Sequence, residues 1–249
     1  MRSFGILLKY ELKLTFRNMN MIISAVLMPL VVMLFLGLIY GTKPAGKGLE
    51  YTFIEQSFGA LCAISICAGG LMGLPLAVSE YRERGVLKRF WVTPVSPVKL
   101  LAVEFTVYML YCLAFLLTLA AAASVFCKIR VRGSLPAFMG SWLFTMVSTL
   151  SIGMMAGGVA NNTKSAGLIA CFLYFPMLIF SGTTIPFEIM PEGIQRIVSM
   201  FPMVQGIQLM KKVFLGIPVD KGWILVCTMA VVTGICAGIS VRFFKWEVR

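Results

Sequence analysis

The sequence predicts an all-α integral membrane protein: six transmembrane helices, an N-terminal interfacial helix, a charged cytoplasmic segment after the second span, and short outer helices before the last. Three observations predict it. Hydrophobic residues fill 59% of the 249 positions and charged ones 13%, and the mean hydropathy of +0.91 is too high for a soluble domain, whose apolar share is about half. Six uncharged runs approach or exceed the roughly 20 residues that carry a helix across ~30 Å of hydrocarbon. The charges gather in the short pieces between those runs.

Residues 1–17 come first. At 100° per residue, Arg2, Lys9, Lys13 and Arg17 share one narrow arc, while Phe4, Leu7, Leu8, Leu12 and Leu14 take the opposite side, as suits a helix lying in the cytoplasmic interface. Glu11 falls within the apolar arc, where it either pairs with a basic residue of another cytoplasmic segment or reaches water. Charges at Lys9, Glu11, Lys13 and Arg17 interrupt any signal-peptide core.

The uncharged runs are Asn18 to Thr42, Gln56 to Ser79, Phe105 to Cys127, Gly133 to Thr163, Ser165 to Phe187 and Gly222 to Val241. They place spans at 18–42, 56–79, 105–127, 135–160, 165–187 and 222–243 of a single transmembrane domain, 1–249. Backbone groups in lipid must be satisfied within each helix, and Pro29, Pro75 and Pro176 are tolerated as kinks covered by neighbours. Six crossings put both termini on one side. With the termini inside, 13 Lys and Arg fall in cytoplasmic pieces and 9 outside, a modest inward bias against which KIRVR at 128–132 is a misfit. NNTK, residues 161–164, reads as a tight turn joining two spans. The proline-rich stretch at 188–220 reads as short outer helices, lying at the interface or dipping in under a cover of protein, with an ordinary outer loop as the alternative.

Several chemistries are poorly supported. The chain has no histidine, which removes the commonest general base and metal ligand near neutral pH. Its seven cysteines lie in or beside apolar runs, where thiols pack as small hydrophobes. No ionisable residue lies deep in a predicted span, so a proton-driven carrier or a membrane enzyme is disfavoured, although sodium sites built from carbonyls and hydroxyls stay open. GTKPAGKG at 41–48 approaches a phosphate loop, but Gly48 stands where magnesium needs Ser or Thr, and no strand precedes it. Any ATP must therefore be hydrolysed by another chain. The net charge of +12 sits in segments beside apolar runs and favours a membrane surface over nucleic acid.

The segment at 80–99 carries the most information. Ser79 reads as an N-cap, with Glu80 and Glu83 in the first turn suiting the helix dipole. Leu87, Phe90 and Trp91 form an apolar edge, and Pro94 and Pro97 stop the helix. Such a helix is shaped to enter a groove on a partner; a loop that merely fixes topology is the competing reading.

EYRERGVLKRFWVTPVSP resembles the E-R-E-x-G-T-L-K-R-x-x-x-T-P-x-S-P signature of type-2 ATP-binding-cassette (ABC) transporter permeases, the membrane partners of a separate ATPase. Glu83, Gly85, Leu87, Lys88, Arg89, Thr93, Pro94, Ser96 and Pro97 match, and Val86 replaces the usual Thr. Downstream, SGTTIPFEIMP and FPMVQGIQLMKKVFLG resemble the family's outer segment, with Ser181, Gly182, Pro186, Pro191, Phe201 and Pro202 matching. The resemblance implies a coupling helix seated on a cytosolic ABC ATPase. Glu80, Glu83, Arg84, Lys88 and Arg89 would make its polar contacts, Leu87, Phe90 and Trp91 its apolar plug, and Thr93 to Pro97 the return angle into the third span. It further implies a second permease, identical or a sister chain, around a central pathway in the plasma membrane. ATP and Mg would sit on the partner ATPase, with no cofactor in this chain, and the system would export.

Within the family the L-K-R form is closer to the drug and natural-product branch. Met- and Phe-rich stretches such as IGMMAGG at 152–158 and FLYFPMLIF at 172–180 suit a hydrophobic or amphipathic cargo, though lipid contact and helix packing use the same residues. A different class also fits the composition: a channel or scaffold recruiting a non-ATPase partner through 80–97.

Overall fold

The computed structural model describes residues 2–16, 27–40, 51–85, 97–126, 129, 131–180, 191–199, 201–218 and 222–243. Nine helices make up the described residues: α1 (Arg2–Phe16), α2 (Met28–Tyr40), α3 (Phe53–Glu83), α4 (Pro97–Phe126), α5 (Leu135–Val159), α6 (Thr163–Ile179), α7 (Glu192–Val198), α8 (Pro202–Leu215) and α9 (Gly222–Phe243). In α3, α4, α5 and α9 the helix is long and apolar enough to cross a membrane, and α2 and α6 hold shorter apolar helices, Pro29–Tyr40 and Thr163–Ile179. The chain is an all-helical membrane protein. The remainder of the 18–42 and 165–187 expectations falls outside the described residues.

Helix α3 is the central post. It starts at a reciprocal cap in which the Thr52 hydroxyl accepts from the Glu55 amide at 3.2 Å and the Glu55 carboxylate accepts from the Thr52 amide at 2.9 Å. Ala68–Gly73 is a π-helical turn, and Pro75, which has no amide to donate, follows at the start of the next α segment. Helix α5 lies against this turn so closely that a Cβ on Gly153 would stand 1.8 Å from the Gly70 carbonyl oxygen. Only backbone fits between them. Leu61, Ile66, Leu71, Leu74, Trp142, Met146, Leu150, Met203, Met210 and Phe214, from α3, α5 and α8, are fully buried in one core.

The short helices between α6 and α9 divide in character. Helix α8 begins at Pro202, whose missing amide costs nothing in a first turn, and buries Met203, Val204, Ile207, Met210 and Phe214. It is a core element covered by protein.

Basic charge at 128–132 finds a local reason. Arg132 Nε lies 3.6 Å from Glu55 Oε2, and the Arg132 and Gly133 amides donate to the Phe214 carbonyl at 3.2 and 3.0 Å. Arg132 thus answers a buried carboxylate at the start of α3; Lys128 and Arg130 lie outside the described residues. The six described cysteines are all free thiols, four of them buried.

Two local expectations are corrected. Ser79 is no N-cap: it is fully buried inside α3, its hydroxyl donating to the Leu76 carbonyl at 3.0 Å. Polarity begins there, but nothing stops the helix until Gly85 (φ 65°), the left-handed position that favours glycine. Leu14, assigned to the apolar face of α1, is instead exposed with Ile6 and Tyr10, while Phe4, Leu7, Leu8 and Leu12 pack on Val103, Val107, Tyr111 and Phe115 of α4.

Candidate coupling site at the end of α3

Successive residues of an α-helix point about 100° apart, so three in a row face three different neighbours. The last turn of α3 uses this at Tyr81, Arg82 and Glu83. The Tyr81 hydroxyl lies 2.5 Å from Glu11 Oε2 of α1 and 2.8 Å from Glu104 Oε1 of α4. Arg82 is only 4% exposed, and its guanidinium donates to the Ala160 and Gly158 carbonyls, the second at 2.9 Å. Those oxygens belong to the C-terminal end of α5, which lacks helical donors and carries partial negative charge, so a buried cation is stabilised there.

Glu83 takes the third direction, accepting from the amide of Thr163 at 3.0 Å and from its hydroxyl. Thr163 opens α6 immediately after Asn162, whose side chain caps the helix by accepting from the Ser165 amide at 2.8 Å. The bonds from Thr163, followed by the charges of Lys164 and Arg84, hold the exposed Glu83 carboxyl below its ordinary range. One helical turn thereby reaches α1, α4, α5 and α6.

Residues expected from sequence divide sharply here. Glu80 and Arg84 form an exposed i,i+4 ion pair at 2.5 Å, available to solvent. Pro97 opens α4 as its first residue, and residues 86–96 before it lie outside the described residues. Pro191 precedes α7, its carbonyl accepting from the Gln195 amide at 3.0 Å, and Pro202 opens α8. Leu87, Lys88, Arg89, Phe90, Trp91, Thr93, Pro94, Ser181, Gly182 and Pro186 lie outside the described residues. The reading of the sequence missed Tyr81, Arg82, Thr163 and Glu104. Glu104 stood one residue before the expected span; with α4 starting at Pro97 it becomes the helix's eighth residue, 2% exposed. Among the described residues, buried Glu11 meets not a basic group but the Tyr81 phenol, which Glu104 also contacts.

Residues 2–215 match the family model described as ABC-2 type transporter. The chain belongs to the ABC-2 type transporter family. The matched part is a permease domain, the non-catalytic membrane portion of such a system, and ABC-2 permeases work with ABC ATPase subunits. Among curated relatives of this ABC-2 permease, the inner membrane transport permease YhhJ of Escherichia coli (strain K12) and its namesake from Shigella flexneri are each 23% identical over 171 residues. The match takes in 68% of this chain and 46% of either relative, so it spans about half the relatives' length. The Tyr81–Gly85 turn lies inside the family match, where the ABC-2 permease passes from its central helix into the charged segment.

Proposed function

We propose that this chain is the transmembrane permease subunit of an ATP-driven ABC exporter, with six crossings, both termini in the cytoplasm and α1 in the interface of a bacterial plasma membrane. Residues 80–97 form the coupling segment, seated on a separate cytosolic ATPase that binds ATP and Mg. A second permease, identical or a sister chain, completes the pathway, and the cargo is a hydrophobic or amphipathic molecule such as a drug, an antibiotic peptide or a lipid-like compound.

One observation carries this reading: Tyr81, Arg82 and Glu83 join the end of α3 to α1, α4, α5 and α6, just before the segment resembling the coupling signature. A push delivered to 86–96 reaches several helices through side chains already in contact. Glu80 and Arg84, exposed beside the joint, supply polar contacts to the ATPase, together with Lys88 and Arg89; Leu87, Phe90 and Trp91 are the plug, and Thr93, Pro94 and Pro97 set the return into α4. Ser181, Gly182, Pro186, Pro191 and Pro202 shape the outer segment.

The test is co-purification of the chain with an ATPase and an assay of cargo-stimulated hydrolysis. Trp91→Ala is expected to release the ATPase or uncouple hydrolysis from transport while the permease still inserts. An ATPase that stayed bound and fully coupled after replacement of 80–97 would overturn the assignment, and nucleotide-independent permeability from the chain alone would indicate a channel.

A further inference from the structure

Tyr81 has one hydroxyl proton and two carboxyl neighbours. It can donate to Glu11 or to Glu104, and the other contact needs a proton on the carboxyl. Glu11 and Glu104 thus meet at one hydroxyl, 2.5 and 2.8 Å from it, and two ionised carboxylates there would have a single donor proton between them. Glu11 is 6% exposed and Glu104 2% exposed, so both are shielded from bulk solvent. Like-charged carboxyls in one buried site retain a proton rather than both ionise.

The surroundings reinforce this. Among the described residues, Tyr108 of α4 lies near Glu104, and Glu80 of α3 lies within range of Tyr108 and is tied to Arg84. On α1, Lys9 and Lys13 are exposed, as is Lys99 on α4. The cluster is also the polar centre of an apolar contact in which Phe4, Leu7, Leu8 and Leu12 of α1 lie on Val103, Val107, Tyr111 and Phe115 of α4. Glu104 is carried by a 30-residue helix and Tyr81 by the central post, whereas Glu11 is carried by the 15-residue terminal helix.

We infer that α1 is latched to α3 and α4 by one proton shared between Glu11 and Glu104 at the Tyr81 hydroxyl, so that its docking depends on protonation: closed with the proton bound, released when it leaves. Ionising both carboxyls leaves two negative charges in contact, and the separation available is the swing of α1 toward water. The same turn of α3 feeds the coupling segment, so release of α1 frees one of the helices that Tyr81 holds. This inference does not rest on the transport role.

The full chain in lipid nanodiscs, without any ATPase, tests it. Infrared difference spectra at neutral pH are expected to contain a protonated-carboxyl C=O band that Glu104→Gln and Glu11→Gln each remove. Amide exchange in α1, corrected for its intrinsic pH dependence, is expected to rise in the wild type with increasing pH, by up to about tenfold per unit for a one-proton latch. It stays flat in Glu104→Gln, whose amide keeps the shape without the charge. Tyr81→Phe leaves both carboxyls and retains a pH-dependent profile with a moved midpoint. A flat wild-type profile, or one that Glu104→Gln leaves unchanged, overturns the latch.

Discussion

Arg82 donates to the Gly158 carbonyl at 2.9 Å across 76 residues of sequence, so the end of one long helix caps the end of another. With the Ala160 carbonyl also held, the α5–α6 turn cannot shift relative to α3 unless these bonds break. Replacement by Ala removes both and leaves two carbonyls facing a cavity. Hydrogen bonds to a charged donor contribute about 1.5–3 kcal/mol each, so Arg82→Ala is expected to lower stability by about 3 kcal/mol and Arg82→Lys by roughly half as much. Thermal unfolding of the detergent-solubilised chain measures it.

Acidity affects the Glu83–Thr163 contact in a definite direction. The carboxyl is held below its ordinary range, so the contact is present above the unfolded value and is lost as pH falls through the depressed folded one. Thr163→Val removes the hydroxyl donor and returns the group toward its usual range. Exchange of the first-turn amides of α6 is therefore expected to accelerate on acidification at a higher pH in Thr163→Val than in the wild type. Coincident profiles would show that the hydroxyl has no part in holding the carboxylate.

Two glycines on α5 make a controlled pair. Gly153 faces the Gly70 carbonyl with no room for a Cβ, whereas Gly140 has nothing within 4 Å. Gly153→Ala is expected to cost about 3 kcal/mol or more by forcing α3 and α5 apart. Gly140→Ala is expected to be neutral or stabilising by about 0.5–1 kcal/mol. Equal melting temperatures for the two variants would contradict the packing described.

The turn at Gly85 has its own signature. A non-glycine residue at φ 65° costs about 1–2 kcal/mol, with Asn better tolerated than Ala. Gly85→Ala is expected to destabilise more than Gly85→Asn, by denaturant titration, and to extend α3 by helical content. The order Ala worse than Asn is the part that checks the backbone conformation.

How much was legible in residue order follows from what each feature depends on. Apolar run length and the rule that lipid leaves no backbone group unpaired are properties of consecutive residues, so the helical membrane class could be read directly. The family signature at Glu83 to Pro97 is also local. Helix ends were less legible, because Ser79 marks where polarity begins while Gly85 and Pro97 mark where the backbone changes direction.

Residue order by itself determined an all-helical, membrane-spanning class and pointed to the charged stretch following α3. Tertiary structure alone decided what Tyr81, Arg82 and Glu83 touch, and that Glu11 and Glu104 meet at the Tyr81 hydroxyl. The reason is physical: hydropathy sums over neighbours along the chain, but a buried charge is satisfied by whichever groups packing brings within about 3 Å. The partners of Tyr81, Arg82 and Glu83 lie 23 to 80 residues away.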